Sequence, residues 1–369
     1  MKKKFTLTIL VFLTIIWNTL IYAQCNGSEY LCNKRYDEVA YLTTHNAFNA
    51  ENQGFFLPNQ YEGITQQLNY GVRALMIDVY LQGGVAVVYH GSSFLGSATL
   101  QSILIEVKSF LDTHPNEVVT LILECYVTSA LIESELIGTG LMNYVYTVPV
   151  SGQWDTLQDM ITNNSRLVVI TDENDAGPDQ DWYHYAWYHC VETHFSVNSI
   201  NDFTNDFNRG DAANDLFIFN HFVTNSVTGT GLPAEAPAVN NYDFLMGRIQ
   251  QHFSQYAKFP NFITLDFYDV GDGMEIVDSL NSSGYTLSAF ELAQSNVLKL
   301  YPNPTSEVIS VYAEKVDGSI AKIFGQTGSV IMECQLNEGE TTITVGHLDA
   351  GIYTIRVNGS SAKFMVLKN

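Results

Sequence analysis

Between residues 39 and 267 the chain repeats one pattern: a short, almost unbroken apolar run, then a longer stretch with apolar residues at helical spacing. Runs at 39–43, 74–79, 85–89, 118–123, 167–171, 216–220 and 262–267 predict strands. Strands apolar at consecutive positions are buried on both faces, as a parallel sheet covered by helices requires. Apolar residues at Leu100, Ile103, Leu104, Val107, Phe110 and Leu111 predict a helix over 100–114, and a second is expected over 242–256. Roughly eight strand–helix units fit this length, which predicts an α/β fold: a (β/α) barrel of TIM type, regular or irregular. The competing architecture is an open doubly wound sheet, but no glycine-rich dinucleotide loop follows a first strand.

The pattern changes at 288–297. Beyond it come short strands at 308–312, 321–324, 341–345 and 352–357, separated by Gly, Asn and Asp turns, which predict a small all-β sandwich over 297–369. At the other end, Met1-Lys2-Lys3-Lys4 precedes an apolar run and Ala23, the layout of an export signal over 1–23. The alternative, a membrane anchor, is disfavoured because the run is short and broken by Thr8, Thr14 and Asn18; no later segment is long and apolar enough to span a bilayer, so no transmembrane helix is expected in the mature chain. The barrel is then bounded at 24–290.

Net charge is −22, from 39 acidic and 17 basic residues. Such a field repels polyanions, which argues against nucleic acid as a partner and against passive adsorption to anionic membranes. Five cysteines suit an oxidising compartment. Cys25 and Cys32 could close a small loop, Cys125 and Cys190 could form a second pair, and Cys334 would be left over.

The chemistry collects at the ends of apolar runs. His45-Asn46, Asp78, Tyr89-His90-Gly91 and Glu124 each follow one, and in a barrel those ends share one mouth. Two histidines supply a base and an acid with near-neutral pKa, as cleavage of a phosphodiester by an internal hydroxyl needs. Asn46, Asp78 and Glu124 are oxygen donors that suit Ca²⁺ better than Zn²⁺. The structural alternative for Asp78 is an ion pair with Arg73. Glu124, directly after so apolar a run, needs a partner, and a cation is a natural one. The stretch 182–190 with His194 beyond it is aromatic and histidine-rich. Spacing of five keeps His184, His189 and His194 off a single face, so zinc is disfavoured there. Its aromatics are expected as packed core and rim, or as a loop at the mouth touching lipid. Gly271-Asp272-Gly273 reads as a turn.

The order His-Asn, Gly-x-Arg-x-Leu-x-x-Asp, Tyr-His-Gly and Leu-x-Leu-Glu resembles the X domain of phosphatidylinositol-specific phospholipase C, in particular its secreted, plant-like branch. Matching stretches continue at 154–160, 166–170, 260–268 and 276–281, so the resemblance covers 32–281. It implies a phosphodiesterase of phospholipase C type. His45 would deprotonate the inositol 2-hydroxyl or stabilise the pentacoordinate phosphorus, His90 would protonate the departing diacylglycerol oxygen, and Asp266 would orient His45. Arg73 would bind substrate. Asn46, Asp78 and Glu124 would hold a Ca²⁺ that acidifies the attacking hydroxyl and neutralises phosphate charge. Met76 stands where calcium-dependent members place a further acidic ligand, and alternation puts it on the face of Asp78, so the cation site is expected to be weakened. Calcium-independent bacterial members have an arginine at the position of Asp78, which this chain lacks. Leu300-Tyr301-Pro302-Asn303-Pro304, with 323–328 and 348–353, is similar to the C-terminal sorting domain of the type IX secretion system. That implies outer-membrane secretion machinery as a partner and a secreted or surface-attached product. The expectation is an exported phosphodiesterase acting on an inositol or related phospholipid. A glycerophosphodiester phosphodiesterase and a non-catalytic surface adhesin are the alternatives.

Overall fold

The computed structural model of the chain describes residues 24–148, 152–175, 181–282, 298–313, 318–325, 330–337, 339–357 and 360–368. The expected export signal at 1–23 and the whole barrel–sandwich junction at 288–297 lie outside the described residues.

Eleven strands form the first sheet: β1 (Tyr41–Thr44), β2 (Ala74–Gln82), β3 (Val85–Val88), β4 (Ala98–Thr99), β5 (Val119–Cys125) and β6 (Leu167–Thr171), then β7 (Tyr183–Tyr185), β8 (Cys190–Thr193), β9 (Phe207–Gly210), β10 (Leu216–Asn220) and β11 (Phe262–Leu265). Eight of them run parallel in the order β7-β6-β5-β2-β1-β11-β10-β8. Among the described residues no ladder joins β7 to β8; the helical turn Ala186–His189 bridges them. The barrel is therefore a TIM-type curl with one open seam. The apolar run at 85–89, expected as one of the repeating strand–helix units, instead folds back as β3, antiparallel on β2.

Side chains alternate across each strand, and the two faces bury into different cores. Leu42, Leu75, Ile77, Leu123, Val169 and Phe219 pack outward with helix residues such as Leu104, Val107, Leu245 and Ile276. Tyr41, Ala74, Ile122, Ile170, Ile218 and Phe262 pack inward, with Met76 against them. Helices fall where the spacing put them, at Leu100–Thr113 and Tyr242–Tyr256. Thr99 caps the first, its hydroxyl accepting the Ser102 N–H at 3.2 Å, a bond whose removal costs about 1 kcal/mol.

Cys25 and Cys32 form a disulfide. Cys125 and Cys190 do not pair: both thiols are free and buried, Cys125 in the outer core and Cys190 in the inner one, with the sheet between them. The tail is all antiparallel. Lys299–Tyr301, Val308–Ala313 and Gly339–Thr344 form one sheet, and Val330–Gln335, Ile320–Phe324, Gly351–Val357 and Ser360–Val366 the other. Ile309, Val311, Ile323, Ile355 and Phe364 share the core of this small sandwich. No described helix is long and apolar enough to cross a membrane.

Candidate active site

Counting inward positions along each strand assembles the site. Tyr41 and Thr43 lead to His45; Ala74 and Met76 to Asp78; Ile122 to Glu124; Val168 and Ile170 to Asp172; Cys190 to Glu192; Ile218 to Asn220; Phe262 and Thr264 to Asp266. In every case the inner core ends and the next inward residue is polar. All of these except Asp266 line one open cavity of about 640 Å³, together with His90 and Asn46. Asp172, Glu192 and Asn220 were not among the sequence candidates.

His45 is held from both sides. Its Nδ1 lies 2.9 Å from Asp266 Oδ1, and its Nε2 lies 3.2 Å from the Asn46 amide nitrogen. With the Asn46 amide donating to Nε2, those contacts put an N–H on Nδ1, donated to Asp266, and the lone pair on Nε2 at the cavity edge. Asp266 is buried and accepts two further bonds from Asn59 Nδ2, both at 3.1 Å. Asn59 Oδ1 in turn takes the amides of Asn46 and Asn49. Asn46 reaches this position from a left-handed backbone (φ 46°), which asparagine tolerates better than most residues. Phe222 stacks flat on the His45 ring at 3.8 Å.

His90 faces His45 across the cavity, ring centroids 6.2 Å apart and nearly perpendicular. Its Nδ1 donates to Asp78 Oδ2 at 2.9 Å and its Nε2 donates to the Gly229 carbonyl at 3.1 Å. Burial works against the charged ring. The hydrogen bond and charge of Asp78, the Gly229 carbonyl and the charge of Glu124 together outweigh it, so His90 is held above its ordinary pKa. One imidazole is arranged as a base and the other as an acid.

The carboxylates beside them are crowded. Burial, then the negative charge of Asp78, pushes Glu124 up, although the Tyr126 hydroxyl donates to it at 2.5 Å. Burial likewise raises Asp172, against the N–H that Cys125 donates to it at 2.8 Å. On the far wall Glu192 is 3 % exposed and paired with Arg209.

Not every expected residue is here. Arg73 precedes β2 at the opposite end of the strand, where Nε pairs with Glu117 at 2.7 Å and Nη1 donates to the Leu68 and Val72 carbonyls. It neither lines the cavity nor pairs with Asp78. Five residues of extended chain, ~16 Å, separate the two. Met76 lines the cavity floor. His184 is buried under the Tyr146 carbonyl. Trp187, from the same aromatic stretch, lies in the cavity wall.

Among the described residues no three His, Cys, Asp or Glu side chains have metal-holding geometry. The expected set of Asn46, Asp78 and Glu124 comes from the neighbouring strand ends of β1, β2 and β5. Each keeps one oxygen, Asn46 Oδ1, Asp78 Oδ1 and Glu124 Oε2, outside the hydrogen bonds of the described residues. Three hard oxygens left free beside a crowded pair of carboxylates fit a hard cation that would draw the rest of its shell from water and substrate.

The fold and cavity define a class: a TIM-type barrel carrying two histidine–aspartate pairs at its C-terminal mouth. Residues 31–281 match the family described as PI-PLC X 1, and residues 299–368 match the secretion system C-terminal sorting domain. The chain belongs to the PI-PLC X family. A PI-PLC X domain-containing protein of Arthroderma benhamiae is 28 % identical over 281 residues, covering 70 % of this chain and 89 % of that one. Another, from Arabidopsis thaliana, is 30 % identical over 281 residues, covering 67 % of this chain and 62 % of its own length. The phosphatidylinositol-specific phospholipase C of Listeria monocytogenes shares the fold, with a TM-score of 0.50 at 15 % identity over 69 % of this chain and 98 % of that one.

Proposed function

We propose that this protein is an exported phosphodiesterase of phospholipase C type that cleaves a glycerophospholipid between phosphate and diacylglycerol. The observation that carries the reading is the facing pair of imidazoles, 6.2 Å apart in one cavity, each with a carboxylate on Nδ1. His45 Nε2 takes the proton of a headgroup hydroxyl as its oxygen bonds to phosphorus. The phosphorus–glycerol oxygen bond breaks, and His90 Nε2 gives its proton to the departing oxygen, leaving a cyclic phosphodiester and diacylglycerol. For that step His90 must release the Gly229 carbonyl, so the loop carrying Gly229 shifts when substrate enters. Asp266 keeps the proton of His45 on Nδ1, and Asp78 keeps His90 charged. Asn46, Asp78 and Glu124 would hold Ca²⁺, which when bound supplies positive charge to the phosphate oxygens and acidifies the attacking hydroxyl. The sorting-type tail supports delivery through outer-membrane secretion machinery to the surface or medium.

The test is turnover of phosphatidylinositol, phosphatidylcholine and glycerophosphodiesters, with Ca²⁺ or with chelator, by the parent and by His45→Ala and His90→Ala. Each variant should lose about 10²–10⁴-fold. A parent inactive on every lipid, or variants equal to it, would reject the reading.

A further inference from the structure

Four side chains behind the base close a ring of hydrogen bonds. His45 Nδ1 donates to Asp266 Oδ1 at 2.9 Å, and Asn46 Nδ2 donates to His45 Nε2 at 3.2 Å. Asn46 Nδ2 also donates to Asn59 Oδ1 at 3.2 Å, and Asn59 Nδ2 donates to both oxygens of Asp266 at 3.1 Å. Asn59 is the one member to which the reaction above gives no task. It is fully buried and touches no substrate. The ring can run in one direction only. Ionised Asp266 has no hydrogen to give, so both groups that face it, His45 Nδ1 and Asn59 Nδ2, must be donors. With its nitrogen committed, Asn59 presents its oxygen, which takes Asn46 and, at 2.7 Å, Asn49. Asn46 must then bring its own nitrogen, and that nitrogen meets the lone pair of His45 Nε2. One buried carboxylate thus acts on the imidazole directly and through two amides, and both routes demand the same tautomer.

We infer that Asn59 is a positioning residue for the base: by closing this ring it holds the His45 proton on Nδ1 and turns the Asn46 oxygen to the cavity. This rests on the reading of His45 as the base and names what sets its tautomer. The ring also explains how the base is freed. In the resting site the Asn46 N–H occupies Nε2, where a substrate hydroxyl must bind. Asn46 can yield that place because Asn59 Oδ1 remains its acceptor; without Asn59, a buried N–H would be stranded. The blander role, that Asn59 merely anchors its loop, is already filled by other groups. Its backbone N–H donates to the Asn49 carbonyl at 3.0 Å, and its carbonyl accepts the Phe267 N–H at 2.8 Å. Next to it, Gln60 gives its side-chain amide to the carbonyls of His45 at 2.8 Å and Leu265 at 3.1 Å. None of these bonds needs an amide side chain at 59.

Exchanging the two side chains separates the roles. Asp266→Asn alone sets amide against amide and breaks the ring. Adding Asn59→Asp restores every donor–acceptor pair. The amide at 266 gives its N–H to the carboxylate at 59 and takes His45 Nδ1–H with its oxygen, while that carboxylate accepts from Asn46 and Asn49. The readouts on the full chain are ¹⁵N NMR of the His45 ring, which needs no turnover, and kcat and KM on a water-soluble inositol phosphodiester at saturating Ca²⁺. The exchanged chain should show the Nδ1–H tautomer and a kcat at least about threefold above Asp266→Asn, a sign of coupling that independent losses cannot produce. Asn59→Leu, similar in size but without hydrogen bonds, should mix the tautomers and lower kcat at least about tenfold. Its KM should stay within about twofold of the parent, since residue 59 meets no substrate. Asn49→Ala removes a bond to Asn59 outside the ring; it should melt earlier than the parent with the His45 tautomer intact. A parent-like tautomer in Asn59→Leu, or an exchanged chain that does not regain Nδ1–H, overturns the inference. So does an active parent whose exchanged chain regains no kcat. A parent that holds the tautomer through Asn59 yet turns over no phosphodiester rejects the reaction and leaves this inference standing.

Discussion

Asp266→Asn isolates what the buried carboxylate does, because Asp266 reaches the cavity only through His45. In the parent its oxygens accept from His45 Nδ1 at 2.9 Å and twice from Asn59 Nδ2 at 3.1 Å. An amide offers one acceptor where the carboxylate offered two. If its oxygen turns to His45, its NH₂ meets the NH₂ of Asn59, donor against donor. If it turns the other way, His45 Nδ1–H faces a donor and the proton must move to Nε2, the atom the base needs free. Either arrangement forfeits a charge-assisted bond worth about 1.5–3 kcal/mol. Spent on the transition state, that is a loss of roughly 10- to 150-fold in kcat. KM should change little, since Asp266 touches no substrate. The assay is steady-state turnover of a water-soluble inositol phosphodiester, beside a melting curve and ¹⁵N NMR of the His45 ring. A folded variant with kcat within threefold of the parent, and His45 still protonated on Nδ1, would refute the argument.

Asp78→Asn should lower the His90 pKa and move the alkaline limb of kcat/KM to lower pH, read at saturating Ca²⁺; an unmoved limb counts against the Asp78–His90 pairing. In stability the same pair acts with a definite sign. His90 is raised above its ordinary 6.5, so its contribution is complete below the unfolded-state value and fades as pH climbs through the folded one. The melting difference between parent and Asp78→Asn should accordingly be larger at acid pH than at alkaline pH. Met76→Glu places a carboxylate on the inward face beside Asp78 and should tighten Ca²⁺ at least about tenfold by calorimetry; unchanged affinity removes Asp78 from the metal site. Gly229→Ala forces a side chain onto a φ of +70° with its Cβ 3.2 Å from His90 Nε2. It should cost about 1–2 kcal/mol in denaturant unfolding, and no loss would mean that the loop does not rest on His90.

What was legible followed from burial. Apolar runs located the strands of the sheet's centre, and helical spacing located 242–256 to the residue. β7 and β8 escaped because 182–193 is aromatic and polar, with no apolar run to announce a strand. Arg73 was misplaced for a different reason. A shared motif joined it to Asp78, but Arg73 precedes β2 and Asp78 lies five residues further on, midway along the strand, where it reaches the cavity. Glu192 was missed with its strand, but Asn220 and Asp172 were missed although the signal was available in the alternation. Along a barrel strand, inward positions are apolar while they are stacked in the core, or threonines bonded back to their own strand as at Thr43 and Thr264. The first inward position beyond it leaves that stack and meets one shared volume, the only space in the fold that every strand reaches. Polar residues there on seven strands are therefore a single observation about one cavity. Read that way, the sequence puts Asp172 and Asn220 beside His45 and Asp78 by parity alone, whereas Glu192 joins them only once the fold shows β8. Arg209 stays beyond its reach, because a bulge in β9 shifts parity by one residue, and only the fold reveals that Gly210 allows one.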